Sequence, residues 1–179
     1  ILWGLRLGLY LLWRSWGETE DYRYQAMRRH HGPRFWWVSL FTVFGLQGLL
    51  MWCISLPIQV AQAAPASVML TWLDGLGVLL WMIGLSFETV GDWQLARFKA
   101  ASQHRGQVMD QGLWRYTRHP NYFGDCLVWW GIGCIAFATP SGAWTLLSPA
   151  LMTVLLLRVS GVTLLEKTLV KRRPAYRDY

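Results

Sequence analysis

FWWVSLFTVFGLQGLLMWCISLP, from Phe35 to Pro57, carries no charged side chain over 23 residues. A helix of about 20 residues crosses the hydrocarbon core of a bilayer, so this segment is long enough to span one. Farther along, Val68 to Val90 is equally long and holds only Asp74 and Glu88. Pro120 to Thr139 is about one span long, with Asn121 and Asp125 near its start, and Ala143 to Leu165 is a further span interrupted by Arg158. Ile1 to Trp13 is apolar apart from Arg6 but too short to cross, and reads as the end of a truncated helix. The expected fold is therefore an all-α integral membrane bundle. It is a single transmembrane domain over residues 1–179, with four full spans plus that stub, truncated at its N-terminus.

Composition and charge point the same way. A chain that is 54% hydrophobic, with 13 Trp and only 15% charged residues, cannot be disordered and is unusual for a soluble domain. The charges it has are bunched. Arg14, Arg23, Arg28, Arg29 and Arg34 fall in the first polar segment, and Arg97, Lys99, Arg105, Arg115 and Arg118 in the second. Lys167, Lys171, Arg172, Arg173 and Arg177 fall in the tail, making fifteen of the seventeen basic residues. The alternate connections, Ile58 to Ser67 and Pro140 to Gly142, hold none. An even number of spans between basic segments puts all three on one face, which the positive-inside rule makes cytoplasmic. The net charge of +7 then needs no nucleic acid to explain it, because the basic segments are interleaved with spans. Buried helices of a large soluble protein fit less well, since charge-free runs this long with basic flanks at alternate ends have no other ready cause. Cys53, Cys126 and Cys134 lie in apolar runs without C-x-x-C spacing, which supports small buried hydrophobes and neither a disulfide framework nor a metal site.

The second basic segment runs into GLWRYTRHPNYFGD, Gly112 to Asp125. Pro120 suits the first position of a helix, where its missing N–H is no loss. Arg118 and His119 then stand at a helix N-terminus, where free backbone N–H groups and the macrodipole favour an anion such as phosphate. Asn121 and Asp125 are four apart and share a helix face, which must turn into the bundle to avoid lipid.

This string resembles the signature of the steroid 5-alpha-reductase C-terminal fold, in the branch of membrane proteins long catalogued as a domain of unknown function. Similar pieces cover most of the chain: GLRLGLYLLWR and ETEDYRYQ (Gly4 to Gln25), SLFTVFGLQ (Ser39 to Gln47), FETVGDWQLARFK (Phe87 to Lys99) and VSGVTLLEKTLVKRRPAY (Val159 to Tyr176). Membrane methyltransferases of the isoprenylcysteine type carry a similar R-H-P-x-Y-x-G, but Asn121 after the proline is characteristic of the reductases. Asp125 stands where the family usually has Glu, shortening the carboxylate's reach by a methylene. The resemblance implies about seven transmembrane helices, the earliest of them absent here, around a cytoplasm-facing NADPH cavity.

The residues suit that cofactor on their own chemistry. NADPH brings a pyrophosphate and a 2′-phosphate that need guanidinium or ammonium groups, and a nicotinamide that needs a dry apolar slot. No G-x-G-x-x-G is present, so side chains must do the binding. Arg14, Arg23, Lys99, Arg118 and Arg172, with His119, supply the cations, arginine being suited to forked phosphate contacts. Asp21, Asp92, Asn121 and Asp125 can orient those cations or meet ribose hydroxyls, and Tyr24, Trp114 and Tyr122 can stack on rings. Glu88 and Asp92, four apart on one face, are either functional acids or partners in a helix-to-helix hydrogen bond. Glu166 pairs with a neighbouring Arg or touches cofactor.

The expected reaction is reduction of a carbon–carbon double bond conjugated to a carbonyl, in a lipophilic substrate drawn from membrane lipid. It needs a hydride at the β carbon and an acid at the carbonyl oxygen. In the steroid reductases that acid is a Tyr followed shortly by Arg, and Tyr10 followed by Arg14 is similar, with one residue more between them. The alternative is an S-adenosylmethionine-dependent membrane methyltransferase, and a third class is a non-enzymatic membrane protein that keeps the fold.

Overall fold

The computed structural model describes residues 1–65, 69–104, 106–159, 161–172, 176 and 179. Among these residues there is no strand. The chain divides into two compact units, Ile1–Trp52 and Cys53–Tyr179.

The first unit opens with α1 (Leu2–Ser15). A turn at Gly17, with φ of +77° that only glycine adopts without strain, separates it from α2 (Tyr22–His31). Asp21 caps α2: its carboxylate accepts the Arg23 backbone N–H at 2.9 Å and the Arg23 guanidinium at 3.0 Å. A 3₁₀ turn over Gly32–Arg34 leads into α3 (Phe35–Ser39), a π-helical segment over Leu40–Gly45 and α4 (Leu46–Ala63), whose second half belongs to the second unit. Tyr22 to Ala63 thus forms one 42-residue helix. The arginine-rich stretch before Phe35 is largely the first turns of that helix rather than a loop.

In the second unit α5 (Trp72–Ala100) is 29 residues long. It begins at a capping box in which Asp74 accepts hydrogen bonds from the backbone N–H and hydroxyl of Thr71, at 2.7 and 2.8 Å. Asp74 is therefore a helix cap and not a charge inside a span. Against α5 lies α6 (Pro120–Phe137), and Pro120 occupies its first turn as its missing N–H requires. The two helices run antiparallel with Gly77 opposite Gly131, Gly84 opposite Gly124 and Gly91 against Pro120. Glycines seven apart return to one face every two turns, and with no Cβ the backbones touch. A Cβ on Gly77 would lie 2.6 Å from the Gly131 carbonyl oxygen, and one on Gly131 would lie 2.5 Å from that of Gly77. Gly133 receives Pro149 of α7 (Leu147–Val154), and the hydroxyl of Ser148 donates to the Cys53 carbonyl at 2.6 Å. A π-helical segment over Leu155–Val159 and α8 (Val162–Arg172) complete the unit.

Among the described residues two helices, Tyr22–Ala63 and Trp72–Ala100, are long and apolar enough to cross a membrane. The expected count of four full spans is not supported. The polar first turns of α6, with Asn121, Tyr122 and Asp125, dilute its 18 residues, and Ala143–Val159 falls short of spanning length. In the two long helices only 11% and 17% of the most apolar stretch is buried in the protein, whereas a core helix of a water-soluble fold buries most of its apolar surface.

Candidate functional site

The second unit contains a cavity of about 410 Å³ where the end of α5, the connection to α6, α8 and the tail tyrosines meet. Its construction starts from the extra length of α5, which continues ten residues past Val90 and carries Leu95, Phe98 and Lys99 to the cavity wall. The returning chain is tied down at Gly112, where φ is +60° and the Gln94 side chain leaves no room for a Cβ. Gln94 Oε1 accepts the Leu113 N–H at 3.0 Å, and the indole N–H of buried Trp114 donates to the Gly91 carbonyl at 3.1 Å. These two bonds hold the segment that ends in Arg118 and His119.

Both residues meet Glu166 of α8. His119 Nε2 lies 3.2 Å and Arg118 3.5 Å from the same carboxylate oxygen. Because a carboxylate only accepts, Nε2 carries the imidazole proton in that contact. His119 is nearly buried, its ring stacks on Tyr122 at 5.4 Å, and burial pushes its pKa below the usual histidine value although Glu166 pulls it up. The Arg118 guanidinium lies over the ring of Tyr176 at 5.5 Å. Burial, reinforced by Glu166, pushes the Tyr176 hydroxyl up to about 12, so it stays protonated. That hydroxyl is buried and has no hydrogen-bond partner among the described residues. The Tyr179 hydroxyl donates to the Trp114 carbonyl. Also in the lining, the His104 ring stacks on Phe98 with centroids 4.4 Å apart. The described lining is thus mostly aromatic and aliphatic, and it includes the cationic side chains of Lys99 and Arg118.

Four of the residues singled out from the sequence, Lys99, Trp114, Arg118 and His119, line this cavity together. Asn121, Tyr122 and Asp125 follow on the first turns of α6 and are half-buried. Asp92 is buried on α5 beside Gly91, and Glu88, also buried, packs over Gly124. Arg172 ends α8, and its side chain lies outside the described residues. Tyr10, Arg14, Asp21, Arg23 and Tyr24 belong to the first unit. There Arg14 stands 5.7 Å over the Tyr10 ring, and Gln47 donates to the Tyr24 hydroxyl at 3.4 Å. The bidentate contact with Arg23 holds the Asp21 carboxyl below the ordinary carboxylate range. The sequence reading missed Phe98, His104, Tyr176 and Tyr179. For the tyrosines the available signal was an aromatic pair three apart at the end of the basic tail; Phe98 looks like an ordinary helix residue and His104 like a connecting one until the chain folds back.

The family described as Protein of unknown function (DUF1295) matches residues 1–179. No curated protein and no solved structure matches the chain.

Proposed function

The chain belongs to the DUF1295 family over its whole length, and on that premise we propose that it is a multi-pass membrane oxidoreductase of the steroid 5-alpha-reductase type. It uses NADPH to saturate a carbon–carbon double bond conjugated to a carbonyl in a lipophilic substrate. The observation that carries this reading is the cavity beside Arg118, which joins an aromatic interior to cationic side chains at the end of a long apolar helix. A dinucleotide asks for that combination: rings bind against aromatic and aliphatic walls, and phosphates against guanidinium and ammonium groups. The buried Tyr176 hydroxyl, without a hydrogen-bond partner among the described residues, is a further donor for an acceptor oxygen of the ligand.

Lys99 and Arg118 would hold phosphate, Phe98 and Trp114 a ring, and His104 the rim. NADPH, when bound, supplies the hydride. The protein's own task is to keep water from the reacting carbons and to meet the charge that develops on the carbonyl oxygen. On the resemblance of Tyr10 and Arg14 to the Tyr followed by Arg of the steroid reductases, we assign that donor role to the Tyr10 hydroxyl. The bare apolar faces of the two long helices give the substrate a route from the bilayer, and the basic segments face the cytoplasm.

The Glu166 contact favours a second reading, a membrane methyltransferase. S-adenosylmethionine is a cation, and a carboxylate at the cavity wall is the partner a cation needs. Thermal protection of the detergent-solubilised protein separates the two. A raised melting temperature with NADPH and none with S-adenosylmethionine supports the reductase; the reverse result overturns it.

A further inference from the structure

We propose that the Glu166 carboxylate is a built-in stand-in for a ligand phosphate: it pairs with Arg118 and is displaced when a phosphate-bearing ligand enters the cavity. The inference rests on the reading above only in taking the ligand to be a phosphate ester or anhydride.

Three observations meet at this point. First, a single oxygen of Glu166 touches both Arg118 and His119 at the opening of α6, where the helix macrodipole already favours negative charge. An anion belongs there, and the protein has supplied one from 47 and 48 positions away. Second, the contact is poor as ion pairs go. The Arg118 distance is 3.5 Å through one nitrogen, and the two side chains are 39% and 28% exposed. A phosphate presents several oxygens to the guanidinium fork and carries more charge, so it outcompetes a single long carboxylate contact. Third, the Tyr176 hydroxyl, its ring under the same guanidinium, is more than nine-tenths buried without a hydrogen-bond partner among the described residues. Buried hydroxyls are seldom left so, and an acceptor oxygen entering beside Arg118 would satisfy it. Leu165 and Leu169 flank Glu166 on α8 and line the same cavity, so the exchange happens at the cavity wall and not on a remote surface.

A phosphate of this kind could arrive on a nucleotide or on a lipid headgroup, and the experiment separates these sources. The full chain is placed in phosphatidylcholine nanodiscs as wild type, Glu166→Gln, Glu166→Asp, Arg118→Gln and the Glu166→Gln/Arg118→Gln double variant. Inorganic pyrophosphate and NADPH are titrated in, and phosphatidic acid is doped into parallel discs, with binding read from tryptophan fluorescence and melting temperature. Glu166→Gln should bind at least one phosphate probe about 2- to 5-fold more tightly than wild type, the scale of a half-exposed ion pair. Glu166→Asp should stay near wild type, and the gain should vanish in the double variant. A gain with pyrophosphate and NADPH assigns a nucleotide; a gain with phosphatidic acid alone assigns a headgroup. A gain with pyrophosphate while NADPH binds no variant upholds the exchange and removes the NADPH reading. NADPH binding equally to wild type and Glu166→Gln, with no gain for pyrophosphate or phosphatidic acid, keeps that reading and overturns the exchange. No tighter binding of any probe by Glu166→Gln, or a gain that survives loss of Arg118, also overturns it.

Discussion

Gly84 and Gly124 meet backbone to backbone: a Cβ on Gly84 would lie 2.5 Å from the Gly124 carbonyl oxygen, and one on Gly124 would lie 2.6 Å from the Gly84 carbonyl oxygen. This contact sets how closely α5 and α6 approach, and so where Arg118 and His119 are delivered. Gly84→Leu should lower the unfolding free energy by about 1–3 kcal/mol, the usual cost of overpacking, because the obstacle is backbone and cannot rotate away. Gly75 on the same helix has nothing within 4 Å of a Cβ, so Gly75→Ala should be neutral or stabilising by up to about 1 kcal/mol. Equal melting temperatures for the two variants would contradict the glycine contact.

Protonation of His119 gives the site a pH dependence of definite sign. Burial holds its folded pKa below the ordinary 6.5, against the upward pull of Glu166 and with Arg118 adding to the lowering. Above that value both folded and unfolded imidazoles are neutral and the contribution is fully present. As pH falls through 6.5 towards the folded pKa, the unfolded chain takes up a proton that the folded one resists, and stability is lost. Melting curves between about pH 5 and 8 should show this slope, which falls in the range where histidine titrates. His119→Asn should flatten it, whereas Glu166→Gln should steepen it by removing the one contact that favours the charged ring.

Membrane placement can be read chemically. In a background without the three native cysteines, single cysteines at Gln62 and Gln103, both exposed, should react with an impermeant thiol reagent from opposite sides. Gln62 ends one long apolar helix, and Gln103 follows the next. Labelling from the same side would contradict a crossing by α5.

The reaction proposed for the chain predicts the path of the hydrogen. With NADPH deuterated at the transferring position and a lipophilic enone, the label should appear on the β carbon of the saturated product, with a solvent proton on the α carbon. Tyr10→Phe should slow turnover by about 10²- to 10⁴-fold with little change in cofactor affinity, the scale of losing an acid or oxyanion donor. Label washed into solvent would instead require an exchanging intermediate.

The helical class of the protein and the start of α6 were legible residue by residue. Charge-free runs such as Phe35–Pro57 leave a backbone no alternative to internal hydrogen bonding in lipid, and Pro120 marks the first turn because it lacks the N–H that a first turn does not use. The grouping of Lys99, Trp114, Arg118 and His119 was also within reach, since Lys99 lies at the end of α5 and the others lie in the connection that leads from it to α6. The span count was not, because a run of apolar residues from Ala143 to Leu165 does not say where its helix stops, and the apolar helix described there is Ala143–Val159.

By itself, then, the sequence determined local conformation: which segments are helical, where Asp21, Asp74 and Pro120 begin them, and which residues carry charge at their ends. Only the tertiary structure decided that Glu166 meets Arg118 and that Tyr176 and Phe98 wall the same cavity. Helix signals act within a few turns. A contact between residues 48 positions apart depends on how α5, α6 and α8 settle against one another, and that register is chosen by the sum of many small contacts at Gly77, Gly84, Gly124 and Gly131, none of which has meaning until its partner is in place.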